Sequence, residues 1–337
     1  MADFIIRRYI PGDEYKIIQM FNEVFYQNRE LSYWYWKYRD NPYGTYIISV
    51  AVTGDGILAA HYAGYPVRLY CCLSMSSTPS EFTTYHLGDK MTRRQFRSVG
   101  YGKSALLKRT FMHFQATYAR DIPFGYGFGT HHSLKFGLLF LNYVDIEPVP
   151  YRRLTFDRVK GKIDNRLRNI ISSIHIEEIS DVDDTWSDFF YHVAPSYQYL
   201  VKRDAAYMRW RYLQRPDRRY LVLSLRKRAK LIGWSVFYRE SSKLIWVDAL
   251  FDPKNREFVQ SILIYLCRHP IAEGVDFIEC WFPQRPSWWD TVLHHLGFIM
   301  EKEPNNLHFT GPMFNDHNAP EMLRKYFYYT MGESDLF

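Results

Sequence analysis

The stretch WKYRDNP at residues 36–42 returns as WRYLQRP at 210–216. That repeat limits what the chain can fold into more than any other feature. Trp36 and Trp210 are 174 residues apart, and so are Tyr38 and Tyr212, Pro42 and Pro216, and Tyr46 and Tyr220. The register runs on into short apolar segments, ILAA from Ile57 and LIGW from Leu231, with the β-rich stretches YIISVAV and YLVLSLR in between. Aligned aromatics and prolines without a net gap point to a fold built twice.

Length agrees, since 337 residues suffice for two domains that each bury a core. The composition, 47% hydrophobic and 23% charged, is that of a globular protein, and no apolar run approaches the ~18 residues of a membrane span. The opening MADFIIRRYIPGDE sets Asp3, Arg7 and Arg8 within or beside its apolar stretch, so no secretory leader is expected. Cys71, Cys72, Cys267 and Cys280 show neither a disulfide framework nor zinc spacing. Reduced core thiols, no metal and a cytoplasmic protein are expected, with no membrane partner. A net charge of +7 raises nucleic-acid binding, but Arg226, Lys227, Arg228 and Lys230 fall at a turn between strands, where charge is solvated. No nucleic-acid motif accompanies them, and no such partner is expected. Arg93, Arg94, Arg97 and Lys103 form a second basic cluster, in a more telling place.

Along the chain, DFIIRRY reads as a strand and GDEYKIIQMFNEVF as a helix by its apolar spacing. ELSYWYWKYRD is a second short helix. Strands at 46–52 and 57–71 meet at TGDG, a hairpin signal, and EFTTYHLGDKMT is a third long strand. A helix from Lys103, the strand PFGYGF, a helix from Thr130 and an extended stretch at 143–156 follow. This order predicts a mixed α/β layer rather than a doubly wound sheet. The expected division is a first domain over 1–157, a basic helical linker over 158–175, a second domain of the same pattern over 176–312, and an aromatic tail over 313–337 that packs on the body.

The most specific short signal is RSVGYG, with Arg97, Gly100 and Gly102 as R-x-x-G-x-G between a strand and a helix. Glycines let a backbone approach a ligand closely. The turn and the following helix N-terminus aim N–H groups and a positive dipole end at one spot, which suits a pyrophosphate. Arg94, Arg97 and Lys103 add charge. The spacing is neither a dinucleotide-binding fingerprint nor a Walker loop. A glycine turn that merely caps a helix is the plainer reading of the motif in isolation.

In its setting, strand, R-x-x-G-x-G, helix, the motif resembles motif A, [QR]-x-x-G-x-[GA], of the GNAT acyltransferase superfamily. The duplicated layout, with WKYRDNPYG before the central strands, is similar to tandem proteins related to the Eis group. The resemblance implies an N-acyltransferase in which an amine attacks a thioester directly. Acetyl-CoA, or another acyl-CoA, would be held by Arg97, Ser98, Val99, Gly100, Tyr101, Gly102 and Lys103. Its pantetheine would run along Lys90, Met91 and Thr92, where the sheet opens toward the glycine-rich strand of Gly125, Gly127 and Gly129. The base, roughly eleven residues before the motif, falls at His86, with Asp89 as the alternative; a satisfied structural histidine is the plainer reading. Where the family carries an acidic Tyr on the helix after the splayed strand, FGLLFLNY offers Leu138, leaving Tyr126, Tyr143 or solvent to protonate the thiolate. A terminal carboxylate at Phe337 would also reach the site.

The second copy lacks the glycine motif and carries Asp252 and Glu257 there. It is expected to keep the fold without the cofactor site and to line the acceptor pocket, with Asp248 and Asp252 as an acidic wall for a small-molecule amine, an amino sugar among them. The alternative role for these acids is helix capping. Two other functions compete: a catalytically silent protein of the same fold that holds CoA or nothing, and a carbohydrate-binding module using Trp288 and Trp289. The tryptophans read better as core.

Overall fold

The computed structural model describes residues 4–74, 78–100, 102–156 and 174–337. The expected basic linker, apart from its last two residues, lies outside the described residues, as does Tyr101. The first half runs β1 (Phe4–Arg8), α1 (Asp13–Phe25), α2 (Leu31–Tyr38), β2 (Ile48–Thr53), β3 (Leu58–Cys71), β4 (Ser80–Thr92), α3 (Leu106–Tyr118), β5 (Gly125–Gly129), α4 (His131–Phe140), β6 (Tyr143–Pro148) and β7 (Tyr151–Thr155). The second runs β8 (His175–Glu178), α5 (Asp184–Val193), β9 (Tyr199–Val201), α6 (Ala205–Met208), β10 (Leu221–Lys227), β11 (Lys230–Glu240), β12 (Lys243–Phe251), α7 (Val259–Leu266), β13 (Phe277–Trp281), α8 (Ser287–Leu296), β14 (Ile299–Met300) and β15 (His308–Pro312). It closes with α9 (Ala319–Tyr326) and β16 (Phe327–Tyr328).

The apolar periodicity did its expected work. Ile17, Met20 and Phe21 of α1 are buried against Trp34, Tyr38, Val50 and Leu58. The central strands β2 and β3 are apolar on both faces because helices and the other half cover both.

One sheet has the order β1-β2-β3-β4-β5-β15-β6, the other β8-β10-β11-β12-β13-β7-β14. Apart from β9, which pairs with β3 of the first sheet, and β16, which pairs with β9, these are the same arrangement, with the sixth strands exchanged. The expected division at 157 and 176 therefore cuts across the sheets. Residues 151–155 pair with β13 and β14 of the second sheet, and residues 308–312 pair with β5 and β6 of the first. Pro148 and Pro150 bracket the turn between β6 and β7, and neither has an N–H with which to continue a ladder. Hydrophobic periodicity marks a strand but not the sheet that receives it.

The repeated tryptophans meet where the halves join. Their rings stack at 5.1 Å and 15°. The Trp36 Nε1–H donates to the Trp210 carbonyl at 2.7 Å, and the Trp210 Nε1–H donates to the Trp36 carbonyl at 2.8 Å. The contact is reciprocal, as a pseudo-twofold relation between two copies requires. An aromatic pair of this kind is worth about 0.5–1.5 kcal/mol beyond its buried area.

Candidate functional site

β4 is paired with β3 along its length but with β5 only at Tyr85–Gly125 and His86–Tyr126. Past His86 the two strands part. At the parting, Ala63 faces Gly88 and His61 faces Met91, so Tyr62 opposes both Asp89 and Lys90. That is a β-bulge, and Asp89 has a left-handed φ of 51°. A bulge re-aims every side chain beyond it. Simple alternation would set Asp89 beside Tyr85 and Leu87, toward α3. Instead Asp89 turns toward α2 and Lys90 takes the α3 side.

The edge of β4 thus freed lines a cleft of about 400 Å³ bounded by Lys90, Met91, Thr92, Arg97, Leu106 and Phe136. It opens beside the glycine turn, next to a smaller hollow of about 190 Å³ edged by Arg93, Arg94 and Arg97. Gly100 and Gly102 have φ of 72° and 55°. A Cβ on Gly100 would overlap the Ser104 carbonyl, so glycine is required there. α3 starts at Leu106 with no side-chain cap, leaving its dipole end toward the turn. Arg97 donates from Nε to the Thr92 carbonyl at 3.2 Å, and Arg93 is partly neutralised by Glu23 at 3.2 Å. The structure thus brings Lys90, Met91, Thr92, Arg97, Ser98, Val99, Gly100 and Gly102 to one cleft and turn; the Lys103 side chain lies outside the described residues.

The glycines of β5 behave otherwise than expected. A Cβ on Gly125 would meet the Leu87 side chain, one on Gly127 the Leu87 carbonyl at 2.6 Å, and one on Gly129 Ser133 Oγ at 3.1 Å. They admit the protein's own neighbours, chiefly Leu87, and the opening lies on the β4 side.

His86 is buried, stacked on Tyr65 at 4.7 Å and 24° and edge-on to Tyr126 at 5.3 Å. Neither ring nitrogen has a hydrogen-bond partner among the described residues. It is therefore not the satisfied structural histidine of the plainer reading. Burial, opposed by Asp335 and reinforced by Lys37 and Arg211, pushes its pKa down to about 4, so the ring is neutral at neutral pH. Asp89 accepts from Lys37 Nζ at 2.9 Å and from the Tyr38 hydroxyl at 2.7 Å, with Arg29 at 3.8 Å. Burial raises its pKa, but Lys37 and Arg29 more than offset this and hold it below the usual range. Tyr126 is buried, and desolvation drives its pKa well above the usual phenol value.

Tyr143 stands apart from these. Its hydroxyl bonds to that of Tyr62 at 2.7 Å and accepts from Lys90 Nζ at 3.3 Å. Its ring lies against Gly137 of α4, where a Cβ would come within 2.8 Å of it. Leu138, the position of the absent helical Tyr, is 43% exposed and faces away. The tyrosine beside this turn of α4 comes from β6 instead, and the small residue that admits it was the available signal.

The sequence pointed to a tail that packs on the body and to a terminal carboxylate at Phe337, but not to the side chains that the segment after β16 places inside. Tyr328, Tyr329, Met331, Glu333 and Ser334 are buried. Asp335 pairs with Lys37 at 2.6 Å, and Lys37 and His86 hold its carboxyl far below the usual range despite burial. Phe337 is held elsewhere, its carbonyl by Arg211 at 2.8 Å and by Arg215. Asp335 is thus the acid that this segment brings to the first half. The repeat held a clue, a basic residue between the Trp and Tyr of both copies. Lys37 and Arg211 are those residues, and both grip this segment.

In the second half Asp248 is fully buried and bonded to Arg203 at 2.9 Å, the Tyr212 hydroxyl at 2.7 Å and Thr330 at 2.8 Å. It cannot form a wall toward an acceptor, because its charge is consumed inside. Asp252 caps the turn after β12, accepting from the Lys254 N–H at 3.0 Å, the alternative role foreseen for it. Trp289 is core, stacked between Phe282 and Trp288.

No family model matches the sequence, and no curated protein matches it in sequence. Solved structures do match. The crystal structure of a GCN5-related N-acetyltransferase from Anabaena variabilis ATCC 29413 superposes with a TM-score of 0.64 at 13% identity, over 93% of this chain and 73% of that one. One from Kribbella flavida gives 0.60 at 9%, over 92% and 70%. Saccharomyces cerevisiae N-myristoyltransferase with bound myristoyl-CoA gives 0.55 at 10%, over 92% and 82%. At such identities the likeness concerns architecture. The chain has the mixed α/β fold of GCN5-related N-acetyltransferases, with two mixed sheets.

Proposed function

We propose that the chain is an acyl-CoA-dependent N-acyltransferase, acetyl-CoA being the simplest donor, that acts on a primary amine such as an amino sugar. The observation that carries this reading is the cleft along the freed edge of β4, with a glycine turn and a helix N-terminus at its end. The residues present fit the cofactor. Arg97 and the backbone of Ser98, Val99, Gly100, Tyr101, Gly102 and Lys103 would hold its pyrophosphate, and Lys90, Met91 and Thr92 would offer backbone partners to its pantetheine. Acyl-CoA supplies the activated carbonyl.

His86 is the base that fits better, because Asp89 is already committed to Lys37 and Tyr38. Tyr143, buried like Tyr126 but hydrogen-bonded to Lys90 of the cleft, fits the acid better than Tyr126. The likeness to acyltransferase structures and the resemblance to Eis-type tandem proteins support this assignment. We further infer that the protein is cytoplasmic; among the described residues no helix is long and apolar enough to cross a membrane.

A second reading, CoA binding without turnover, is favoured by the burial of His86 at 1% exposure. Labelled acetyl-CoA offered with amino sugars, polyamines, aminoglycosides and peptides decides between them. The acyltransferase reading expects label on at least one amine and stoichiometric release of free thiol. Tight CoA binding with no transfer to any class would leave the silent reading.

A further inference from the structure

We propose that a hollow in the second half, between β8 and α7, binds a small elongated carboxylic acid with an apolar body and an oxygen at its far end. None of the residues that line it borders the cleft beside the glycine turn, so the site stands whether or not the chain transfers acyl groups.

The hollow holds about 340 Å³, inside the range of small-molecule pockets, roughly 300–1,000 Å³. Local periodicity makes its walls. Ile174, just ahead of β8, and Ile176 within it lie two positions apart on extended chain, so they share a face. Across from them, Ser261, Ile264, Tyr265 and Arg268 recur at the three- and four-residue spacing of one helix face. The helical turn carries on past Leu266, where the Arg268 N–H donates to the Tyr265 carbonyl at 3.0 Å. In the first half, Phe4 of the edge strand and Phe96 pack edge to face at 5.7 Å on a cluster that includes Leu106 of α3. The second half sets isoleucines on its edge strand, and the gap stays open.

Three features define what fits. Ser261 is buried, yet its hydroxyl has no hydrogen-bond partner among the described residues. Such a group calls for an explanation, and its place on the hollow supplies one: it can donate to an oxygen of a bound molecule. Arg268, exposed at the rim, makes no ion pair among the described residues. The carboxylate of Glu178 pairs instead with His269 Nε2 at 3.6 Å, while Nδ1 of that ring accepts the Ile271 N–H at 3.2 Å. A free guanidinium suits a carboxylate, which it grips with two hydrogen bonds. Between these ends, the isoleucines and the Tyr265 ring, stacked on His269 at 5.5 Å and 28°, offer an apolar passage. Seven positions along a helix, at ~1.5 Å each, set Ser261 and Arg268 about 10 Å apart. The occupant therefore rests its carboxylate on Arg268, its chain between the isoleucines, and its far oxygen against Ser261. An amine would be repelled by Arg268, and a plain alkyl end would leave Ser261 unpaired.

The probes are ω-hydroxyoctanoate, octanoate and octylamine, each titrated into the full chain by isothermal calorimetry with and without excess CoA. One site is expected for both acids, unaffected by CoA, and none for octylamine. ω-Hydroxyoctanoate should bind roughly fivefold more tightly than octanoate, the worth of one neutral hydrogen bond. Ser261→Ala should erase that difference and leave octanoate affinity in place. Arg268→Met, a change at an exposed position, should weaken both acids about tenfold or more, with partial recovery in Arg268→Lys. Ile176→Trp, in a chain still folded by circular dichroism, should abolish binding by filling the hollow. Equal affinities for the two acids in the native chain overturn the role of Ser261. Failure of either acid to bind, equal binding of octylamine, displacement by CoA, or unchanged affinities in Arg268→Met overturn the site.

Discussion

His86 faces the joint between the halves with two unsatisfied nitrogens, a costly state that folded proteins rarely leave without a use. Its low pKa fixes what it can do. As a base it would be ready at neutral pH, and kcat/KM would stay flat with falling pH until about 4. Replacing it by alanine should lower kcat/KM by roughly 10²–10⁴ and leave CoA affinity nearly unchanged, because His86 does not line the cleft. Steady-state kinetics with calorimetry checks both parts. An acid limb near the ordinary imidazole value, or full activity in the variant, would move the proton to water. The position of His86 was readable from its distance to the glycine motif. The placement of Asp89 and Lys90 was not, because a bulge reverses alternation and leaves no mark in composition.

At the scale of elements, local signals carried far. The hairpin at residues 53–56, the amphipathic α1 and the glycine turn before α3 each formed where turn chemistry and periodicity put them. The segment from Thr330 onward was harder to read. It is short and polar-capped, and its role comes from partners distant in sequence. Glu333 accepts from the Thr330 N–H at 2.6 Å and pairs with Arg203 at 2.7 Å. Burial, with help from Asp248 and against Arg203, pushes its pKa up to about 7, from 4.5 for an ordinary Glu. Between these values the folded chain holds a proton that the unfolded chain releases. This contribution to stability is complete below pH 4.5 and is lost as pH rises through about 7. His86 acts in the opposite sense, weakening the fold as pH falls from 6.5 toward about 4. Thermal melts between pH 5 and 8 should therefore show Glu333→Gln losing less stability with rising pH than the native chain. Parallel curves would mean that Glu333 is ionised throughout.

For the molecule as a whole, the two copies of the repeated motif meet at the joint, where Trp36 and Trp210 stack and exchange hydrogen bonds. The exchange of β7 and β15 was invisible, since a five-residue strand carries no label for its sheet. Its consequence is that each sheet needs a strand from the other half. The glycine turn exists in the first half only, while the corresponding turn in the second is closed by Asp252. The proposed function depends on this single turn holding a pyrophosphate. Isothermal calorimetry of CoA against the full chain measures it directly. The expected result is one site per chain, abolished by Gly100→Asp, in which a Cβ and a carboxylate enter the turn, and weakened about tenfold or more by Arg97→Ala. Two equivalent sites, or unaltered binding in a Gly100→Asp chain that remains folded by circular dichroism, would contradict it.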